Sequence, residues 1–434
     1  MTARARRVAA RACAALLVAA VATLAPVPPA SGLAPAEPDP APAEAPAGIA
    51  GTAPAPPEVT ASGAVLWDPA AAAVLVDQDD DVPRPMASTT KIMTALLALE
   101  AGVVDDEVTV GPDAETAGAL PGVARVGLTA GDVVPMRSLL AGIMLESGND
   151  AAVAIADHVA GSEEAFVTAM NDRARELGLD DTGFVDASGL SDDPAHRASP
   201  RDLARLAEVA MRDPRFAELA GSASLDPEGI PPVDNRNELL DGFDGATGVK
   251  TGYTRAAGLC LVASAERDGR ELYAVVLDSD DHHADAAALL EHGFDAWEHA
   301  RLAGRVGTFR TSGGAVPVEV TEPAVAAVAA GHTGDVATVL APSLEPGVPA
   351  GAGAGEAVLT VGGEEAARAP VVTARALPER PAGDASALGE HVQDALRDLA
   401  RAGLAGGLED RDGGEAAPGA AREVRPSEMH AATD

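Results

Sequence analysis

A serine and a lysine stand three positions apart at the start of an apolar segment, as Ser88-x-x-Lys91. In a helix two such residues share one face, so the Ser88 hydroxyl and the Lys91 amine can lie within hydrogen-bond distance. A serine becomes a nucleophile when a neighbouring base takes its proton, and a neutral lysine can be that base. The pair therefore predicts a serine nucleophile activated by a lysine.

The ordinary pKa of a lysine, about 10.4, is the obstacle to this chemistry. Keeping the Lys91 amine neutral near pH 7 means lowering that pKa by more than three, which costs roughly 4.5 kcal/mol. A helix N-terminus supplies at most about 2 kcal/mol of this. We therefore expect burial and a second nearby cation to lower the pKa of Lys91.

Composition indicates which residue the second cation is. The chain has only two lysines, Lys91 and Lys250, and every other basic side chain apart from histidine is arginine. Arginine cannot be deprotonated in a protein, so lysine at these two positions is chemically distinct. Lys250 opens the triplet Lys250-Thr251-Gly252, and another polar triplet, Ser147-Gly148-Asn149, joins two apolar segments. Taken alone, the second triplet is more typical of a helix cap followed by a turn than of a functional site.

With these three motifs in this order, the chain resembles the penicillin-recognising serine enzymes. More closely, it is similar to the serine-type D-alanyl-D-alanine carboxypeptidases, the low-molecular-weight penicillin-binding proteins. The blocks that carry the closer resemblance are residues 87–94, 146–152, 248–254 and 257–264. The resemblance covers roughly residues 60–300, and more weakly residues 304–377.

The resemblance implies roles for four residues in the reaction. Ser88 is expected to be the nucleophile that becomes acylated, and Lys91 its base. Ser147 and Asn149 are expected to transfer protons and to hold the substrate amide. No metal and no cofactor takes part in the reaction that the resemblance implies.

Substrate recognition is implied for the last motif. Lys250 and Thr251 are expected to position the terminal carboxylate of the substrate, and Lys250 to lower the pKa of Lys91. Gly252 lets a substrate backbone lie close to the strand edge. The oxyanion hole implied by the resemblance consists of the backbone N–H groups of Ser88 and Tyr253. The expected partners are the D-Ala-D-Ala end of a peptidoglycan stem peptide and β-lactams, as covalent inhibitors.

The resemblance implies an α+β fold, an antiparallel sheet flanked by helices, followed by a small C-terminal β domain. Local patterns predict helices over residues 135–146, 150–159, 166–177, 200–212 and 286–297. They also predict a hairpin of strands 259–265 and 272–277, with Asp268-Gly269 at its turn.

Composition divides the chain into five segments. We expect a signal peptide at 1–32, an Ala/Pro-rich linker at 33–58, a serine peptidase domain at 59–303, a β-rich domain at 304–377, and a short helix with an acidic tail at 378–434. The first segment has arginines, then an apolar run too short for a comfortable membrane span, then small residues. We therefore expect export to the cell envelope or the medium.

A net charge of −36 argues against a nucleic-acid partner, whose phosphates would be repelled. The same charge does not suit adhesion to anionic lipid. The short helix near the end of the chain mixes charge signs and lacks aromatic residues, so membrane association stays open. Cys260 lies in an apolar run and is expected to be a buried, unreactive thiol.

Three alternatives bear on function. Asp280-Asp281-His282-His283-Ala284-Asp285 could be read as metal ligands, but a solvated loop before the helix at 286–297 is the preferred interpretation. A β-lactamase would need a separate glutamate to activate water, and the nearest candidate, Glu176, ends a helix before Gly178. A non-catalytic penicillin-sensing or wall-binding protein would not need two lysines with different duties. The loop at residues 278–285 also lacks an arginine that relatives often use to bind the substrate carboxylate.

Overall fold

The computed structural model describes residues 49–50, 54–311, 314–332, 334–340, 348–377 and 422–423. The predicted signal peptide and the predicted short helix near the C-terminus lie outside the described residues. Within the described ranges, no helix is long and apolar enough to cross a membrane.

The described strands and helices alternate irregularly along the chain, as expected for an α+β protein. In chain order the strands are β1 (Ile49–Ala50), β2 (Gly63–Asp68), β3 (Ala73–Gln78), β4 (Glu107–Thr109), β5 (Val133–Pro135), β6 (Ser224–Leu225), β7 (Val233–Asp234), β8 (Ala246–Thr254), β9 (Gly258–Arg267), β10 (Arg270–Ser279), β11 (Trp297–Leu302), β12 (Arg305–Thr311), β13 (Gly314–Val320), β14 (Ala324–Ala329), β15 (Gly334–Leu340), β16 (Gly353–Val361), β17 (Glu364–Thr373) and β18 (Arg422–Glu423). The helices are α1 (Lys91–Glu100), α2 (Pro112–Ala119), α3 (Met136–Met144), α4 (Asn149–Ala160), α5 (Glu163–Glu176), α6 (Pro200–Met211), α7 (Pro214–Gly221), α8 (Leu239–Gly242) and α9 (His282–Ala296).

A five-stranded antiparallel sheet in the order β3-β2-β10-β9-β8 organises the first part of the molecule. The predicted hairpin is confirmed as β9 and β10. Its turn residues Asp268 and Gly269 both have positive φ, 53° and 75°, which a tight two-residue hairpin turn requires. Strand β8, which carries Lys250, lies at the edge of this sheet. An extended substrate can therefore reach it from one side.

Helix α1 belongs to the apolar core that the sheet and the other helices share. All of its residues from Lys91 to Leu99 are buried. A helix that is apolar nearly all round is stable only when it is surrounded by protein. The same burial encloses Lys91 at the first position of this helix, away from water.

The other face of the sheet is covered by α9. Leu66 and Leu272 from the sheet belong to the same buried apolar cluster as Leu290 of this helix. The prediction of a loop up to residue 285 is wrong, because α9 begins at His282. The Asp281 side chain caps it by accepting a hydrogen bond from the backbone N–H of Ala284, at 3.1 Å.

The C-terminal part is rich in strands, as the sequence predicts. Five strands form a sheet in the order β12-β13-β17-β16-β15, and β11 pairs with β14 in another. Strand β11 precedes the proposed domain boundary at residue 303, whereas its partner follows it. Asp68 of the first sheet accepts hydrogen bonds from Arg270, at 3.0 Å, and from His299 of β11, at 2.7 Å. This buried cluster links the two sheets.

Candidate active site

The nucleophile candidate lies in a short turn and not in the helix that the sequence predicts. Residues Ala87–Thr90 form a 3₁₀ turn, and the α-helix begins at Lys91. In a 3₁₀ turn the side chains at i and i+3 eclipse each other. The Ser-x-x-Lys spacing therefore still brings the two groups together, with 3.0 Å between Ser88 Oγ and Lys91 Nζ.

Lys91 Nζ is fully buried and has two further polar neighbours. It donates to Asn149 Oδ1 at 2.8 Å and to the backbone carbonyl of Ser188. An amide oxygen and a carbonyl oxygen can only accept hydrogen bonds, so they engage two N–H groups of the amine. The third direction faces Ser88 Oγ. When the amine is neutral, its lone pair points at the serine hydroxyl.

The pKa of Lys91 lies well below the usual lysine value. Burial is the largest cause, and the charge of Lys250 is the second. Asp186 and Asp150 oppose the shift, whereas Arg236 adds to it. The prediction that burial and a second cation, Lys250, lower the pKa of this amine is confirmed.

Lys250 itself is buried on the edge strand β8, where its Nζ donates to the carbonyl of Thr251 at 3.1 Å. Burial first, and the charge of Arg236 second, lower the pKa of Lys250 to about 7, against an opposing effect of Glu146. Arg236 and Glu146 form an ion pair, with 2.5 Å between Nη2 and Oε1. Near pH 7, Lys250 therefore exchanges between its protonated and its neutral form.

The Ser-x-Asn triplet lies at the start of α4. Ser147 is buried and has a φ of 65°, and the helix begins two residues later at Asn149. The Asn149 N–H donates to the carbonyl of Ala124 at 2.9 Å. Buried Asp150 accepts from the backbone N–H groups of residues 126, 127 and 128, at 3.0, 2.8 and 3.0 Å. These contacts hold the loop at residues 124–128 against the start of the helix.

Gly252 packs against the nucleophile turn. A Cβ atom at this position would lie 3.0 Å from Ser88 N and 3.1 Å from Met86 O. A side chain would crowd the Ser88 N–H, so glycine keeps that group open. Thr251 is half-buried, and the Tyr253 side chain next to it is 63% exposed.

The turn-rich segment at residues 184–196 closes the other side of the nucleophile turn. The Asp186 carboxylate accepts hydrogen bonds from the N–H groups of Ser188, at 2.8 Å, and of Gly189. Gly189 has a φ of 83°, and a Cβ there would lie 1.9 Å from the carbonyl oxygen of Ala87. Only glycine allows this approach, which brings the Ser188 carbonyl to Lys91.

Two other predictions concern single side chains. Glu176 is the last residue of α5, its side chain is 63% exposed, and it forms an ion pair with Arg173 at 3.3 Å. This placement matches a solvated helix-end carboxylate. Cys260 is fully buried, and burial raises the pKa of its thiol to about 12. Both interpretations made from the sequence are confirmed.

No sequence pattern indicates a role for the Ser188 carbonyl or for Arg236. The first is a main-chain group, which any residue type could supply. Arg236 lies between Asn235 and Asn237, in a loop before α8, and no local pattern distinguishes it from the other arginines. Its charge nevertheless acts on both lysines.

Residues 50–281 match the family model described as D-alanyl-D-alanine carboxypeptidase. The chain is 39% identical over 236 residues to the D-alanyl-D-alanine carboxypeptidase DacD of Escherichia coli, which is 52% of this chain and 60% of that protein. It is 36% identical over 253 residues to DacA of the same bacterium, 56% of this chain and 62% of the relative. The matched part thus spans less than two thirds of these relatives.

Among solved structures, penicillin binding protein 5 from Haemophilus influenzae matches with a TM-score of 0.66 and 28% identity. The match covers 75% of this chain and 99% of that one. The D-alanyl-D-alanine carboxypeptidase DacD from Francisella tularensis matches with a TM-score of 0.62 and 26% identity, over 75% and 96% of the two chains. Both likenesses extend beyond the sheet that carries Lys250.

Proposed function

The chain belongs to the D-alanyl-D-alanine carboxypeptidase family, and on that premise we propose that it hydrolyses the terminal D-Ala–D-Ala bond of peptidoglycan stem peptides. The observation that carries this proposal is the buried Lys91 amine, 3.0 Å from Ser88 Oγ, with its other N–H groups engaged by carbonyl oxygens. A lysine with a lowered pKa in that position can act as the base that removes the serine proton.

Acylation is the first half of the reaction. Ser88 Oγ forms a bond to the carbonyl carbon of the penultimate D-Ala while its proton passes to Lys91 Nζ. The carbonyl electron pair moves to oxygen, where the N–H groups of Ser88 and Tyr253 stabilise the negative charge. When the intermediate collapses, the C–N bond breaks, and the departing amine takes the proton through Ser147.

Deacylation is the second half. Once D-Ala leaves, water occupies its place, loses a proton to Lys91 and attacks the ester carbon. The tetrahedral intermediate then collapses, the ester bond between the carbon and Ser88 Oγ breaks, and Oγ takes back the proton from Lys91. Asn149 fixes the Lys91 amine during both steps, because its Oδ1 accepts one amine N–H at 2.8 Å. Each half-reaction therefore uses the same base.

Recognition of the terminal carboxylate is assigned to Lys250 and Thr251 on the edge strand, with Gly252 providing close approach. The positive field there has two sources, Lys250 and Arg236. The carboxylate stabilises the protonated form of Lys250, whose own pKa is about 7. Arg236, which is ion-paired with Glu146, is the arginine that we propose adds positive charge to this site, since the loop at residues 278–285 has none.

Penicillin is expected to acylate Ser88 by the same attack on its strained amide. The bulky penicilloyl group remains attached after ring opening and blocks water, whereas D-Ala departs. The adduct should therefore persist, since Glu176 is solvated and ion-paired with Arg173. This property separates a carboxypeptidase from a β-lactamase.

We further propose that the peptidase domain spans residues 59–303 and the β-rich domain residues 304–377. Export to the cell envelope follows from the proposed signal peptide at residues 1–32 and from the substrate, which lies outside the cytoplasm. No cofactor is required by the steps above.

The experiment measures D-Ala release from a diacyl-Lys-D-Ala-D-Ala peptide and maps the adduct after benzylpenicillin treatment. We expect release and a single adduct on Ser88 in the wild type, and neither in Ser88→Ala. An adduct on another residue, or D-Ala release by Ser88→Ala, would overturn the assignment of the nucleophile.

A further inference from the structure

A buried imidazole lies behind the nucleophile turn. His196 is 2% exposed, and its two ring nitrogens contact different segments. Nδ1 is 3.0 Å from the backbone N of Val185, and Nε2 is 2.8 Å from Thr90 Oγ1. Because a backbone N–H can only donate, Nδ1 accepts, and the proton of the neutral ring resides on Nε2. His196 therefore donates to the Thr90 hydroxyl.

The Thr90 hydroxyl in turn donates to the carbonyl oxygen of Ala87, at 2.8 Å. That carbonyl and the N–H of Ser88 belong to one planar trans peptide unit and point in opposite directions. Fixing the Ala87 oxygen therefore fixes the direction of the Ser88 N–H. We call this chain of groups, from His196 through Thr90 to Ala87, the carbonyl relay.

The backbone needs such a constraint at this point. Ala87 has a φ of 48°, in the left-handed region that costs a residue with a Cβ about 1–2 kcal/mol. Gly189 packs against the same oxygen, and a Cβ there would lie 1.9 Å from it and 2.9 Å from Thr90 Oγ1. The Ala87 carbonyl is thus held by a hydrogen bond and confined by the backbone of Gly189.

We propose that His196 is a positioning residue for acylation, which holds the Ala87–Ser88 peptide through Thr90 so that the Ser88 N–H points at the developing oxyanion. The inference rests on the proposed function, because the oxyanion role of the Ser88 N–H belongs to it. His196 touches neither the substrate nor the reacting atoms, and it acts only through the relay.

The relay requires a neutral ring. A second proton, on Nδ1, would point at the Val185 N–H and replace a hydrogen bond by two opposed donors. Burial is the largest influence on the pKa of His196 and lowers it, and the charge of Lys91 lowers it further. The carboxylates of Asp186 and Asp193 act in the opposite direction. The net direction is downward, so the ring is neutral and the relay intact at neutral pH.

Two matched pairs of variants test the proposal. Thr90→Ser keeps the hydroxyl, whereas Thr90→Val removes it at similar size. His196→Gln keeps a donor near the position of Nε2, whereas His196→Asn keeps only an acceptor near Nδ1. Stopped-flow measurements with benzylpenicillin give the acylation rate constant and the dissociation constant of the non-covalent complex separately.

We expect Thr90→Val and His196→Asn to lower the acylation rate constant by about 10- to 100-fold, since loss of a whole oxyanion donor costs about 10²–10³. Thr90→Ser and His196→Gln should stay within about threefold of the wild type on that scale. The dissociation constant should change by less than about threefold in all four, because the Ser88 N–H acts in the transition state. Thermal unfolding of each variant identifies any that does not fold. If one variant of the Thr90 pair or of the His196 pair fails to fold, the acylation rate constants of the other pair test the proposal.

Nitrogen-15 NMR of the histidine rings tests the tautomer without any substrate. The His196 signals, identified by their loss in His196→Gln, should show a protonated Nε2 and an unprotonated Nδ1 at pH 7.5. A protonated Nδ1 would overturn the relay. So would equal acylation rate constants in Thr90→Val and Thr90→Ser, while the wild type still forms its Ser88 adduct. A wild type that forms no adduct would instead overturn the proposed function together with this inference.

Discussion

Replacement of Arg236 by glutamine should move both limbs of the pH profile of kcat/KM to higher pH. Arg236 lowers the pKa of Lys250, where its charge is the second cause, and also that of Lys91. Removing its guanidinium leaves the Glu146 carboxylate, which raises the pKa of Lys250. Both lysines should therefore hold their protons to a higher pH in Arg236→Gln than in the wild type.

The alkaline side of the profile reports Lys250. A lysine is cationic below its pKa, so binding of the substrate carboxylate is complete at low pH and is lost as the pH rises through about 7. A unit charge across a partly solvated site is worth about 1 kcal/mol, or about 0.7 in pKa. At pH 8, a group with a pKa of 7 is about 9% charged, and one with a pKa of 7.7 about 33%. Relative to its own plateau, the variant should therefore be about three- to fourfold more active at pH 8.

The acid side reports Lys91, which must lose its proton to act as the base. Because its pKa also rises in Arg236→Gln, the acid limb should move in the same direction. The assay is kcat/KM for D-Ala release between pH 4 and 9. Arg212→Gln is the matched control, because it removes the same charge from an ion pair with Glu208, on the surface of the helix Pro200–Met211. The reasoning would be refuted if the alkaline limb of kcat/KM had the same apparent pKa in Arg236→Gln as in the wild type. It would also be refuted if Arg212→Gln shifted that apparent pKa by the same amount as Arg236→Gln.

Three further predictions concern packing. Gly189→Ala should abolish penicillin acylation and lower the melting temperature, because its methyl group would lie 1.9 Å from the Ala87 oxygen; a variant acylated at the wild-type rate would contradict this. A thiol reagent should modify the peptide carrying Cys260 only after unfolding, because the thiol is buried with a pKa of about 12; rapid labelling of the native protein would show otherwise. Asp68→Asn should lower the free energy of unfolding by about 3–5 kcal/mol, because it leaves the buried Arg270 without its charge partner; a loss below about 1 kcal/mol in urea titration would disprove it.

The chemistry of the site could be predicted from few residues. Only two lysines occur, and each stands in a recognisable motif; at Lys91, the base, arginine could not replace lysine because it cannot lose its proton. Their consequence, a Lys91 amine with a lowered pKa beside Ser88, follows from the spacing and from the need for a base. The 3₁₀ turn did not disturb this prediction, because helix and turn alike place i and i+3 on one side.

The sequence could not reveal groups that depend on contacts between distant segments. The Ser188 carbonyl reaches Lys91 across 97 positions, and His196 reaches Thr90 across 106. Strand β11 (Trp297–Leu302) was not predicted either, because its pairing with β14 (Ala324–Ala329) is non-local and β propensity depends on context. Local patterns identify the reacting groups, whereas the parts that hold them are set by tertiary packing.

The roles of the two lysines are tested most directly by exchanging each for arginine and measuring acylation of Ser88 by benzylpenicillin at pH 7. Both side chains are almost fully buried, so the larger guanidinium places a similar steric demand on each site, and circular dichroism confirms folding. Lys91→Arg should lose acylation by about 10³-fold or more, because arginine keeps the charge but cannot accept the serine proton. Lys250→Arg should retain it to within about tenfold, because arginine still supplies a cation for the carboxylate. Acylation of Lys91→Arg at a rate close to that of the wild type would contradict the assignment of Lys91 as the base.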